Sequence, residues 1–259
     1  VTPLDVVYIV KAGESNEQLR YSLRSLANVP VRQVWMVGYR PKWVKETIGY
    51  VPVIQRGQKN QNTWHNWRAM AASPELPDRF VLMNDDFFVM RPVTEVPAYH
   101  RGNLDVMIDW YAQQRLNSWR SRAVSTRTLL RAVHPDAELF SYELHLPLMV
   151  DKAVMAEALN RLAHARRAPA ELYNKRTWYG NYAQIGGVKV DDVKAMGGKA
   201  GMPATDLPFL STSPHSWPGL VGGTLRRIFA EMSPYERTPS SGLYRPSTLA
   251  SRRLTRVGQ

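Results

Sequence analysis

Strand-sized apolar runs alternate with helix-sized segments through the first ninety residues, and this regular change of hydrophobic period leaves few folds open to the chain. Residues 6–10 are apolar and largely β-branched, and residues 14–27 follow with Leu19, Leu23 and Leu26 at helical spacing. A second apolar run, 34–37, stops at Gly38, and a third, 51–54, is bounded by proline and glycine. The pattern predicts a helix over 62–72, stopped by Ser73-Pro74, and then a buried central strand over 79–83 that runs directly into Asn84-Asp85-Asp86. Strands that alternate with helices need crossover connections. The expected fold class is therefore α/β, with a mostly parallel central sheet flanked by helices and a more helical, irregular C-terminal part.

After residue 91 the punctuation loosens. Pro92 and Pro97 bound a connector, 104–108 reads as a further strand, and 110–132 reads as one basic helix. Residues 139–150 carry Glu143 and His145, and 151–165 form an amphipathic helix through Val154, Ala158, Leu159 and Leu162. A chain of 259 residues can be served by one extensive α/β core. The expected organisation is one unit over 1–237, with halves 1–93 and 94–237, and a mobile basic tail over 238–259.

The absence of cysteine excludes a disulfide framework, a thiolate metal site and a cysteine nucleophile, so any metal must take oxygen and nitrogen ligands. No apolar run approaches the roughly 20 residues of a membrane span, and the first residues lack the basic and apolar blocks of a signal peptide, so the cytoplasm is the expected location. With 34 Lys and Arg against 22 Asp and Glu, the charge of +12 suits a polyanionic partner, and charge alone does not choose among nucleic acid, anionic lipid and a nucleotide substrate. Arg115, Arg120, Arg122, Arg127 and Arg131 have no acid between them, and a second cluster runs from Arg226 and Arg227 through Arg237, Arg245, Arg252 and Arg253 to Arg256. A solvated basic face explains both clusters equally well.

The acidic strand end is the most informative feature. Ligands of open α/β sheets collect beyond the carboxyl ends of the strands, where Asn84-Asp85-Asp86 falls. Continued strand alternation would send Asn84 and Asp86 to one side and Asp85 to the other. Adjacent carboxylates offer hard oxygen ligands for Mg²⁺ or Mn²⁺, with substrate phosphates completing the shell. The competing reading is a turn cap, a position Asp and Asn also favour.

The stretch Phe80-Val81-Leu82-Met83-Asn84-Asp85-Asp86-Phe87-Phe88-Val89, followed by Arg91-Pro92-Val93, resembles the NDDFF region of Stealth-type sugar-phosphate transferases and related bacterial and phage transferases, and with the first strand it looks like a GT-A glycosyltransferase. Tyr21-Ser22-Leu23-Arg24-Ser25-Leu26 is similar to the helix after their first strand. The resemblance covers roughly residues 4–93. Later pieces are patchy: Tyr142 to Leu148, Tyr179-Gly180-Asn181 and Met232-Ser233-Pro234-Tyr235-Glu236.

The resemblance implies a nucleotide-sugar donor, UDP-sugar favoured, whose diphosphate is bridged to the protein by Mn²⁺ or Mg²⁺. By position Asp86 would be the principal metal ligand and Asp85 a metal or ribose contact, while Asn84 departs from the DxD pattern and could bond a donor hydroxyl. His215 is the candidate late-chain metal ligand. Glu143 is the candidate base for the acceptor hydroxyl, with His145 orienting it, binding sugar or ligating metal; the two share a side if the segment is extended. Lys11, Tyr39 and Arg40 are candidate donor contacts, as are Asn62 and Asn66, which share a helix face. Asp191-Asp192, between Lys189 and Lys194, reads as a solvated, salt-linked turn. The acceptor could be a hydroxymethylated base in phage DNA, a protein or a polysaccharide; a Stealth-like phosphotransferase and a noncatalytic DNA-binding protein are the alternatives.

Overall fold

In the computed structural model the described residues are 1–199 and 201–238, so most of the basic tail lies outside them. In chain order the elements are β1 (Leu4–Val10), α1 (Glu17–Ser25), β2 (Val31–Gly38), β3 (Gly49–Pro52), α2 (Lys59–Ala72), β4 (Arg79–Asn84), β5 (Phe87–Val89), β6 (Tyr99–His100), α3 (Leu104–Gln113) and α4 (Asn117–Val133). Then follow β7 (Leu148–Asp151), α5 (Lys152–Ala165), α6 (Lys175–Tyr182), β8 (Val188–Lys189), β9 (Lys194–Ala195), β10 (Phe209–Thr212) and α7 (Leu220–Ile228).

Five strands form the main sheet in the order β3-β2-β1-β4-β7. All its pairs are parallel except β4 with β7, so the expected α/β class with a mostly parallel sheet is what the chain adopts. Side chains of a strand alternate between faces, and each face here has its own core. Val7, Val37, Phe80 and Leu82 pack on one side with Trp64, Trp67 and Met70 of α2 and with residues of α5 and α6. Val6, Tyr8, Val10, Met36, Val81 and Met83 pack on the other with Leu19 and Leu23 of α1. The order runs outward from β1 in both directions, and the switch point between β1 and β4 opens a crevice beyond their carboxyl ends.

Three expectations fail locally. Residues 104–108 are the start of α3 rather than a strand. Asn103 caps that helix by accepting from the Asp105 and Val106 amides, and Leu104, Met107, Ile108 and Tyr111 line its buried face at spacings only a helix satisfies. Residues 110–132 are not one helix: Arg115, at φ 55°, breaks α3 from α4. The strand alternation expected through Asp86 also stops short, because β4 ends at Asn84 and Asp85-Asp86 form a turn. Beyond that turn β5 leaves the main sheet to pair with β10 in a second sheet, β5-β10-β9. Replacing the cap, Asn103→Ala, is expected to cost about 1 kcal/mol and lower the melting temperature by a few degrees, as thermal unfolding would read.

The segment Met232-Ser233-Pro234-Tyr235-Glu236 has a structural task. The buried Glu236 carboxylate accepts from Arg20 at 2.6 Å and Arg24 at 2.7 Å, both on α1, and from the Ser233 amide at 3.0 Å. Arg24 also donates to the Phe229 and Ala230 carbonyls, so the chain after α7 is clamped onto α1.

Candidate functional site

A cavity of about 390 Å³ opens at the switch point, with Ile9 of β1 and Leu82 and Asn84 of β4 in its wall. Asn84 belongs to the face of β4 that carries Phe80 and Leu82, so its amide reaches the cavity by strand alternation. Glu143 and His145 line the same space, as expected of a shared side, although residues 140–146 are not a regular strand.

That segment is held by side chains in place of a strand ladder. Asn181 of α6 pairs with both the amide and the carbonyl of Phe140 at 2.8 Å. Thr177 accepts from the Tyr142 amide at 3.1 Å, and Arg176 donates to the Leu144 and Leu146 carbonyls. Gly180 lets the Tyr142 ring lie on α6, since a Cβ there would stand 2.5 Å from it. The Tyr179-Gly180-Asn181 piece thus positions Glu143 and His145 from behind, satisfying backbone groups that an irregular buried segment would otherwise orphan.

The two candidates have different partners. One oxygen of Glu143 accepts from the Thr177 amide at 3.1 Å and the Thr177 hydroxyl at 3.2 Å, capping the first turn of α6. His145 is bonded through Nδ1 to Asp192 at 2.7 Å, and its amide donates to the other oxygen of Asp192 at 3.0 Å. Asp192 is therefore not the solvated, lysine-paired residue its neighbours predict. Burial works against its ionisation, yet the bonds from His145 hold its carboxyl below the usual range. With Nδ1 engaged, the imidazole keeps Nε2 for the cavity it lines.

The acidic turn lies beside this cavity. Asp86 pairs with Lys194 at 3.4 Å through Oδ2, while its Oδ1 is buried without a hydrogen-bond partner. The Asp85 carboxyl is pushed up to about 7, first by burial and then by the charge of Asp86, against the opposing pull of Lys11 and Lys59. Two crowded carboxylates with an orphaned oxygen fit a divalent cation, which would supply the missing partner and relieve their repulsion. Among the described residues no three His, Asp or Glu side chains gather into a metal cage, and His215 is exposed in the turn after β10. A cation here would complete its shell with ligand oxygens and water.

No family model and no curated protein matches this sequence. Several solved structures are similar, among them galactosyltransferase LgtC in complex with donor and acceptor sugar analogs, with TM-score 0.49 and 9% identity, covering 88% of this chain and 96% of that chain.

The other candidate donor contacts are dispersed. Tyr39 donates to Glu14, Arg40 lies over Tyr50 at 4.9 Å, and Lys11 is exposed near Asp85. Asn62 bonds to both backbone groups of Gly57, and Asn66 is buried beneath Gly38 with its amide oxygen unpartnered; neither lines the cavity. Sequence reasoning did not find Lys59, Lys175, Arg176 or Asp192. The first three had no local signal beyond their charge, and Asp192 was hidden by the lysines around it.

Proposed function

We propose that the crevice transfers a sugar from a nucleotide-sugar to an acceptor hydroxyl, as a GT-A-type enzyme. The observation that carries the reading is the acidic turn Asp85-Asp86, with its orphaned oxygen, beside a cavity lined by the Asp192-bonded His145 at the β1/β4 switch point. Asp86 and Asp85 would hold Mn²⁺ or Mg²⁺, whose chemistry is to neutralise charge on the leaving diphosphate. Asn84 bonds a donor hydroxyl. His145 takes the acceptor proton on Nε2 as the acceptor oxygen bonds the anomeric carbon, and the bond from that carbon to the phosphate oxygen breaks with its electron pair leaving on the nucleoside diphosphate.

His145 is favoured over Glu143 as the base because it has a carboxylate partner that orients it, whereas one oxygen of Glu143 is held at the first turn of α6. Asp192 then positions the base and selects its tautomer. A hydroxymethylated DNA base as acceptor has less behind it. Within the 115–131 array, Arg127 and Arg131 turn to Asp105 and Arg122 turns to the cavity, leaving Arg115 and Arg120 exposed.

Mass analysis of a sugar-nucleotide panel incubated with Mn²⁺ and hydroxyl acceptors tests the reading. The expected products are a nucleoside diphosphate and a glycosylated acceptor; a nucleoside monophosphate with a sugar phosphodiester would establish Stealth-like chemistry instead. Asp192→Asn is expected to lower kcat about a hundredfold with little change in the donor KM, within the range general-base catalysis supplies. An unchanged kcat would remove Asp192 from the mechanism.

A further inference from the structure

Two cations of the cavity lack the partners that burial demands. Lys175, at the start of α6, is 8% exposed, and its ammonium has no hydrogen bond or ion pair among the described residues. It lies over the Trp64 ring, 5.6 Å from its centroid. Arg122 lies over Trp119 at 4.6 Å and has a buried Nε with no partner. The half-buried Arg176 adds a third positive charge, spent on two carbonyls that cannot neutralise it, and its Nε is likewise buried without a partner. Lys59 faces the same space, which Glu143 and Glu171 only partly balance. Desolvation pushes the Lys175 ammonium down to about 8, as expected of a cation lacking a counter-ion.

A buried ammonium left unpaired is costly, and a ligand anion removes that cost. The donor's diphosphate is assigned to the acidic turn, whose residues do not line this cavity. We propose that Lys175 and Arg122 form a subsite for a phosphate monoester on a small acceptor, so that the enzyme glycosylates a phosphorylated small molecule. This rests on the transferase reading above. A monoester is favoured over a strand phosphodiester because the recess is small and Lys175 is nearly enclosed, so a terminal group with three free oxygens matches it better than a through-running chain.

Calorimetric titration with inorganic phosphate, without divalent metal, tests the subsite on the full chain. Lys175→Met and Arg122→Gln should each weaken phosphate binding at least tenfold, while Asp86→Asn binds it as the parent does. Stabilisation by UDP with Mn²⁺ should show the converse pattern, retained in Lys175→Met and lost in Asp86→Asn. An unchanged melting temperature of each variant excludes misfolding; should Lys175→Met unfold, Arg122→Gln carries the same comparison.

Phosphate binding that ignores both cavity substitutions, or appears only above about 10 mM in the parent, overturns the subsite. Loss of UDP–Mn²⁺ stabilisation in Lys175→Met overturns it too, by placing the donor diphosphate in the cavity. Displacement of phosphate by an oligonucleotide without terminal phosphates, at concentrations where a sugar phosphate fails, overturns the monoester assignment. If phosphate binding depends on Lys175 but UDP–Mn²⁺ stabilises no variant, the anion site stands while the transferase reading and the acceptor role fall.

Discussion

Asp86→Asn is expected to abolish the joint stabilisation of the protein by a nucleoside diphosphate and Mn²⁺ and to remove detectable sugar transfer. A ligand pair held at a hundred times its dissociation constant stabilises the folded state by about 2.7 kcal/mol. For a chain of this size that is a rise of roughly 5–10 °C in melting temperature. Asparagine keeps the shape of the side chain and its contact with the second sheet but removes the charge. Neither partner alone should restore the shift in the variant. The unliganded variant gives up the ion pair with Lys194 while easing the crowding on Asp85, so the ligand shift is read against the variant's own unliganded melting temperature. A variant that still gains the full shift would show that the acidic turn is only a turn.

The largest stability effect is expected from Glu236→Gln. The Glu236 side chain is fully enclosed and answers Arg20 and Arg24 together, so the substitution leaves two guanidinium groups near a neutral amide. Breaking a buried ion pair on one side costs about 3–5 kcal/mol, which lowers the melting temperature by on the order of 10 °C. The effect should depend on pH. Burial opposes ionisation of Glu236, but the bonds from Arg24, Ser233 and Arg20 hold its carboxyl below the usual value. Its contribution is therefore present above the unfolded carboxylate range and lost as pH falls through the lower folded value. The difference between parent and variant should shrink in acid, as urea titrations at a series of pH values would show. Glu46→Gln, at the exposed pair with Arg237, serves as the control and should leave stability unchanged.

How much of this was legible in the sequence depended on where each residue finds its partner. The main sheet was readable because β1, β2 and β4 are apolar runs ended by residues that stop strands, and nothing distant is needed to specify them. The start of α3 was misread because five residues are too few to separate the two periods, although Asn103 ahead of Leu104 was an available start signal. Asn84, Asp85 and Asp86 were found because a strand end names its own location. Asp192 could not be found that way, since its partner His145 is 47 residues earlier and the lysines beside it pointed to solvent. Lys175 is marked only by burial without a counter-ion, and what separates Arg122 from the other arginines of its cluster is the unpartnered Nε it buries, neither of which a local pattern encodes.

The acidic turn stands at the junction where the backbone passes from one sheet to the other, with Asn84 closing β4 and Phe87 opening β5. The Asp86 carbonyl is bonded to Thr212 at the far end of β10, some 126 positions downstream. Both carboxylates consequently acquire their places only after distant portions of the polypeptide have docked, which makes the cation-dependent melting shift a gauge of completed assembly as well as of chemistry. A chain ended before β10, which keeps both aspartates but lacks the Thr212 amide, should show no such response.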